Sequence, residues 1–175
     1  MALATFDFPA FAAAFDGERT SHDLGWYDLA DALWAQSDLL NAQRPQDHPM
    51  CGGAIGRLPA RGETSCQYAL FLLRWLDRPP EDFLAGEVVD VGKVRLPKAG
   101  PDQRLRFDLP ALHGAINDER RAREMTWAQL ADVIGCTPVR LTNLRTAKQA
   151  DLALVMRVLQ WLARPSSDFI HAADW

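Results

Sequence analysis

The sequence predicts an all-α protein made of two tandem, related domains joined by an ordered linker. Three observations predict it. Phe6-Asp7-Phe8-Pro9-Ala10 returns 101 residues later as Phe107-Asp108-Leu109-Pro110-Ala111, and the register holds through Glu18/Glu119, Arg19/Arg120, Trp26/Trp127 and Leu29-Ala30-Asp31/Leu130-Ala131-Asp132. Farther on, Trp75-Leu76 with Arg78-Pro79 and Asp82-Phe83 matches Trp161-Leu162 with Arg164-Pro165 and Asp168-Phe169, now at an offset of 86. Self-similarity at fixed offsets marks a repeated structural unit. In both copies apolar residues recur at helical spacing between capping residues and Gly or Pro stops. The boundaries expected are a domain over 1–85, a linker over 86–106 and a second domain over 107–175.

The two offsets differ by 15 residues, which places an insertion in the first copy at about 34–48. Trp34, Leu39 and Leu40 keep helical spacing there, so the second helix of domain one is expected to run on until Pro45 stops it. Residues 50–61 follow, with Ile55 and Leu58 matching Leu141 and Leu144; three glycines and Pro59 make this a poor helix by intrinsic preference. Thr64 opens a helix with Tyr68, Ala69, Leu72, Leu73 and Leu76 inward, and Pro79 to Leu84 adds a short last turn. Residues 86–106 gather valines, glycines and prolines, which reads as an extended linker with a brief hairpin about Asp90 to Lys93. Its cations, Lys93, Arg95, Lys98, Arg104 and Arg106, read as a solvated charged face.

Asp108 and Pro110 open domain two, where Leu112, Ala115 and Ile116 form an inner stripe and Glu119 can pair with Arg123 at i, i+4. Leu152, Val155, Met156, Leu159 and Leu162 form the stripe of a later helix, and Pro165 starts a last short one. The terminal Trp175 is expected to pack. Residues 105–175 hold a full set of helices and are expected to fold alone.

Between these lie two short helices around a tight turn. Thr126 caps the first, Leu130, Ala131 and Ile134 share its inner face, and Gly135 stands where it ends. Thr137 caps the second with Pro138 at its first position. Leu141 and Leu144 turn this helix inward, leaving Val139, Arg140 and Asn143 outward with Arg145 and Lys148 just beyond. The pattern Trp-x-x-Leu-Ala-x-x-Ile-Gly-Cys-Thr-Pro-x-x-Leu-x-x-Leu over residues 127–144 resembles the helix-turn-helix of the Cro/CI (XRE) family of bacterial transcriptional regulators. The resemblance covers Leu109 to Ile170. It implies a five-helix domain whose second motif helix enters the major groove, so the expected fold is all-α, with two tandem five-helix repressor-type helix-turn-helix domains.

Composition narrows the function. Three scattered cysteines, Cys51, Cys66 and Cys136, and four histidines, His22, His48, His113 and His171, show neither disulfide framework nor metal-ligand spacing, so no metal or cofactor is expected. No catalytic dyad, phosphate loop or demanding carboxylate pair stands out, which excludes the common enzyme signatures. No apolar run approaches a membrane span, and the start Met1-Ala2-Leu3-Ala4-Thr5 lacks the basic region of a signal peptide; a cytoplasmic protein is expected. The formal net charge is −4, which opposes unspecific affinity for duplexes. The acid is uneven: residues 1–84 hold 6 Lys/Arg against 12 Asp/Glu, whereas 135–150 carry Arg140, Arg145 and Lys148 with no carboxylate.

The expected function is therefore sequence-specific binding of double-stranded DNA without chemistry, the chain acting as a monomeric pseudo-dimer or as a homodimer. Asn143 can take adenine N6 and N7, Arg140 can take guanine O6 and N7, and Val139 can meet a thymine methyl. Arg145, Lys148, Thr126 and Thr137 are candidates for phosphate. Trp127 stands where the family commonly places a polar group against phosphate; its repetition as Trp26 suits a packing role better. Arg57 and Arg61 are the corresponding cations of domain one. The alternative is a protein-interaction module, an antitoxin or adaptor, with a protein partner at the acidic N-terminal domain and DNA readout lost.

Overall fold

In the computed structural model residues 2–44 and 50–174 are described; the expected stop at Pro45, His48 and the packing of Trp175 lie outside them. The chain is not all-α. Strand β1 (Thr5–Phe6) precedes helices α1 (Phe8–Ser21), α2 (Trp26–Ala35), α3 (Asp38–Gln43), α4 (Gly52–Arg61) and α5 (Cys66–Leu76), then a 3-10 turn over Pro80–Phe83 and β2 (Leu84–Ala85). The second half runs β3 (Arg104–Phe107), α6 (Leu109–Ala122), α7 (Trp127–Ile134), α8 (Pro138–Thr142), a 3-10 turn over Asn143–Arg145, α9 (Leu152–Leu162), a 3-10 turn over Ser166–Asp168 and β4 (Ile170–Ala173). β1 pairs antiparallel with β2, and β3 with β4, so the fold is a mixed one of helices and two small sheets.

Each sheet ties the two ends of one repeat. The reason is local: Asp7 and Asp108 each turn the chain from strand to helix, accepting the N–H groups of Ala10 and Ala111, while their own N–H groups donate to Phe83 and Phe169 carbonyls. Arg104–Arg106, expected in the linker, thereby belong to β3, and the hairpin expected at Asp90 to Lys93 is absent. The valines there find no strand edge, and Val88 stays 48% exposed.

Equivalent elements begin at the offsets the sequence repeats: α1 and α6, then α5 and α9, match at both ends. Small details repeat too. Arg19 and Arg120 lie over the Trp26 and Trp127 rings at 4.1 and 4.7 Å, and each donates to the carbonyl five residues on, Leu24 and Met125. The two halves meet through equivalent positions as well. Ser65 and Asp151, the capping residues of α5 and α9, form an antiparallel bridge in which Cys66 N–H donates to the Ala150 carbonyl at 2.7 Å and Leu152 N–H to the Thr64 carbonyl at 3.0 Å. Because each bond repeats the other at the 86-residue offset, the halves are related by a local two-fold at this bridge.

Around that two-fold the packing is reciprocal, with α5 against β3 and α9 against β1. Phe107 N–H donates to Gln67 Oε1 at 2.9 Å. A single hydrophobic core runs through both halves, from Phe11, Leu72 and Leu73 to Leu105, Leu152 and Val155. The two halves, expected as a tethered pair of domains, share this core.

The insertion also departs from expectation. α2 does not run on; it ends at Ala35, and α3 starts anew after the buried Ser37. Residues 99–103 of the linker dictate this. Pro101 carbonyl accepts the first free N–H groups of α3, from Leu39 and Leu40, and Ser37 Oγ donates to Gln103 carbonyl at 2.6 Å. Arg74 fastens the junction from α5. Its guanidinium donates to Ser37 Oγ and to the carbonyls of Gln36, Ala99, Gly100 and Gln103, and burial lowers its pKa. Leu40 and Asn41 are buried here, and Leu39 is exposed. At the start of α5, Ser65 rather than Thr64 is the cap, and Tyr68 points outward.

α4 is a helix despite its glycines because they make room for a neighbour. A Cβ on Gly52 would stand 2.8 Å from Tyr27 Cα, and one on Gly56 would stand 3.2 Å from the Trp26 ring. Backbone cannot yield as a ring can. Gly52→Ala should therefore destabilise the chain by about 1–3 kcal/mol and Gly56→Ala by less; urea melts of the two variants that rank them in the opposite order would refute this packing account.

Candidate nucleic-acid interface

The helix-turn-helix stretch of the second half is built from α7, the Gly135 turn and α8. Thr126 and Gln129 cap α7 reciprocally, side chain to backbone, at 3.1 and 2.8 Å. Gly135 closes it in the left-handed region at φ 80°, and Arg157 of α9 donates to the Ile134 carbonyl at 2.9 Å, bracing the turn. That arginine gave no sequence signal, since a cation on an amphipathic helix usually reads as solvent-facing. Leu130, Ala131, Ile134, Leu141 and Leu144 are all buried, which fixes the opposite face outward.

On that outward face stand Val139, 61% exposed, with Arg140 and Asn143, and Arg145 and Lys148 follow, all exposed. The expected second motif helix is short. α8 gives way at Asn143 to a 3-10 turn that ends at Arg145. β-branched Thr142 and Thr146 flank that turn, and both are weak helix formers. Thr137 sits at the capping position, but its side chain makes no cap hydrogen bond, and Pro138 supplies the start instead.

Charge is less one-sided than the sequence window implies. Arg140 Nη2 lies 3.7 Å from Asp151 Oδ2, an oxygen that also caps α9 through Leu154 N–H at 3.2 Å. Asp151 stands one residue beyond the carboxylate-free run of 135–150, so sequence reasoning missed it. Because Asp151 belongs to the bridge at the local two-fold, the pair turns Arg140 toward the junction of the halves. In the first half α4 takes the equivalent place, with Arg57 and Arg61 exposed and Gly62 closing the helix. Arg61 lines a shallow cleft with Glu63, Ser65, Gln149 and Asp151, and an adjoining cleft is lined by Arg140, Asn143 and Asp151. Arg61, Arg140 and Asn143 thus flank the same bridge.

The remaining candidates lie apart from it. Trp127 has the Arg120 guanidinium over its ring at 4.7 Å and stacks with the His113 ring at 5.3 Å, while Thr126 is engaged in its capping box. Burial, with Arg145 beside it adding like charge, lowers the His113 pKa, which favours the neutral imidazole against the indole. Lys148 lines a different cavity, together with Arg106 and His171. Burial raises the Cys136 thiol pKa and pushes Cys66 up to about 11, so both stay protonated at neutral pH.

Among the described residues no group of three or more His, Cys, Asp or Glu could hold a metal ion, and no helix is long and apolar enough to cross a membrane. The arrangement offers hydrogen-bond donors and cations on two related elements, disposed about a local two-fold. Comparison of the chain with family models, with curated proteins and with solved structures yields no match.

Proposed function

We propose that the protein binds duplex DNA and regulates transcription without chemistry of its own, its two halves working as a covalent pseudo-dimer of helix-turn-helix units. The observation that carries the reading is the Ser65–Asp151 bridge, which sets α4 and the α8 turn about one local two-fold. A two-fold protein meets the two-fold of duplex DNA, and two motif helices on one face read two half-sites. The halves differ in sequence, so the half-sites would differ too. Asn143 and Arg140 are assigned to base edges in this reading, and Arg145 and Lys148 to phosphates.

Asn143→Ala should weaken binding to the preferred duplex by about 1–3 kcal/mol and relax preference at one base pair. Lys148→Ala should weaken all duplexes alike and reduce the salt slope by about one unit. Fluorescence anisotropy on specific and scrambled duplexes over a salt series distinguishes the two; equal losses for both variants on both duplexes would count against the assignment.

A second reading, protein docking at the N-terminal half, draws support from its acidic balance and from Tyr27, 75% exposed on α2 next to α4. It predicts that no duplex sequence is selected.

A further inference from the structure

The ion pair between Arg140 and Asp151 has no counterpart in the first half. At the 86-residue offset Arg140 falls on Ala54 and Asp151 on Ser65. Ser65 caps α5 with a neutral hydroxyl that accepts Tyr68 N–H at 3.1 Å, while Asp151 caps α9 by accepting Leu154 N–H on Oδ2 at 3.2 Å. Serine and aspartate cap helices about equally well, so the cap alone does not call for a charge at 151. What the charge adds is the contact with Arg140, whose Nη2 lies 3.7 Å from Oδ2.

Asp151 is a firm anchor for that contact, because its backbone is held in the bridge to Ser65 and its carboxylate at the first turn of α9. Arg140 is a long side chain, 46% exposed, with much rotamer freedom to lose. Its guanidinium carries several N–H donors in a rigid fork, and Asp151 meets it at one nitrogen, which leaves donors for a base edge.

We propose that Asp151 is a positioning residue for DNA readout, holding the Arg140 guanidinium for a guanine edge and keeping it off the phosphates. The proposal rests on the duplex-binding reading above. Two effects carry the discrimination. A guanidinium ordered beforehand lowers the cost of the guanine contact, and a carboxylate beside it repels backbone phosphate, which disfavours the unspecific contact. An exposed pair of this kind is worth a factor of about five at most, so Asp151 sharpens selectivity by a few-fold and does not create it.

The test measures full-chain binding by fluorescence anisotropy to the duplex selected from a randomised pool and to a scrambled version of it. Asp151→Ser, which places at 151 the residue that caps α5, should raise affinity for the scrambled duplex about two- to fivefold and leave the selected one unchanged or weaker. The ratio of the two affinities then narrows, a change that a damaged fold would not give through tighter binding. Asp151→Asn, which also keeps a capping side chain, should do the same. In an Arg140→Ala background the ratio should no longer respond to Asp151→Ser, since the effect passes through Arg140. An equal rise on both duplexes, an unmoved ratio, or a narrowing that persists without Arg140 would overturn the role of Asp151 and leave duplex binding standing. A pool that yields no selected duplex would overturn both.

Discussion

Residues 104–175 expressed alone should fail to form a cooperatively folded monomer, although they contain every helix of the second repeat. The fragment loses α5, which covers β3, and β1, which covers α9. Phe107 N–H loses Gln67, and Leu152 N–H loses the Thr64 carbonyl. Leu105, Phe107 and Leu152 are buried at the junction, and exposing a large apolar side chain costs about 1.5–3 kcal/mol each. Three of them together with two orphaned donors approach the whole 5–15 kcal/mol that a domain has to lose. Circular dichroism melts and amide dispersion should show a molten or unfolded chain, with order restored on mixing with residues 1–103. A fragment that melts cooperatively within a few degrees of the intact protein would show that the halves fold independently, as the sequence alone led us to expect.

Arg74→Met should destabilise the chain by about 3–5 kcal/mol. Each hydrogen bond to a charged donor contributes about 1.5–3 kcal/mol, and these bonds share one guanidinium, so they do not add fully. The larger loss comes from what remains, since four carbonyls and the Ser37 hydroxyl lose the group that satisfied them in a half-buried junction. The effect should be local first. Hydrogen exchange should rise in α3 and at 99–103 before it rises in α9, because the partners of Arg74 lie at 36–37 and 99–103, ahead of β3 and the second half. Uniform acceleration across both halves would contradict the role given to this residue.

Much of the architecture is written in the repeat. The paired Asp7 and Asp108 caps, the Trp26 and Trp127 positions and the Gly135 turn each announce themselves through residue type and spacing. The strands do not. Thr5–Phe6 and Leu84–Ala85 are too short for alternation to register, and β3 carries two arginines in a stretch whose charge suggests a solvated linker. Arg104 is 2% exposed and hydrogen-bonds Asn41 of α3, a long-range contact between two polar residues that no local pattern foretells. Valine content points to a hairpin about Asp90 to Lys93, and the described residues there form no strand.

The candidate interface divides in the same way. Amphipathic spacing was enough to send Arg140 and Asn143 outward. The carboxylate that faces Arg140 and the arginine that braces Gly135 were hidden, because Asp151 and Arg157 act across the fold rather than along the helix.

The central claim, that two unequal motif elements read DNA about one two-fold, is tested most directly by selecting bound sequences from a pool of randomised duplexes with the full chain. The account predicts a bipartite motif whose unequal halves lie about one helical turn, roughly 10 base pairs, apart, with one half fading in Arg140→Ala/Asn143→Ala and the other in Arg57→Ala/Arg61→Ala. A pool that emerges unenriched, or a single undivided motif indifferent to Arg57 and Arg61, would contradict it.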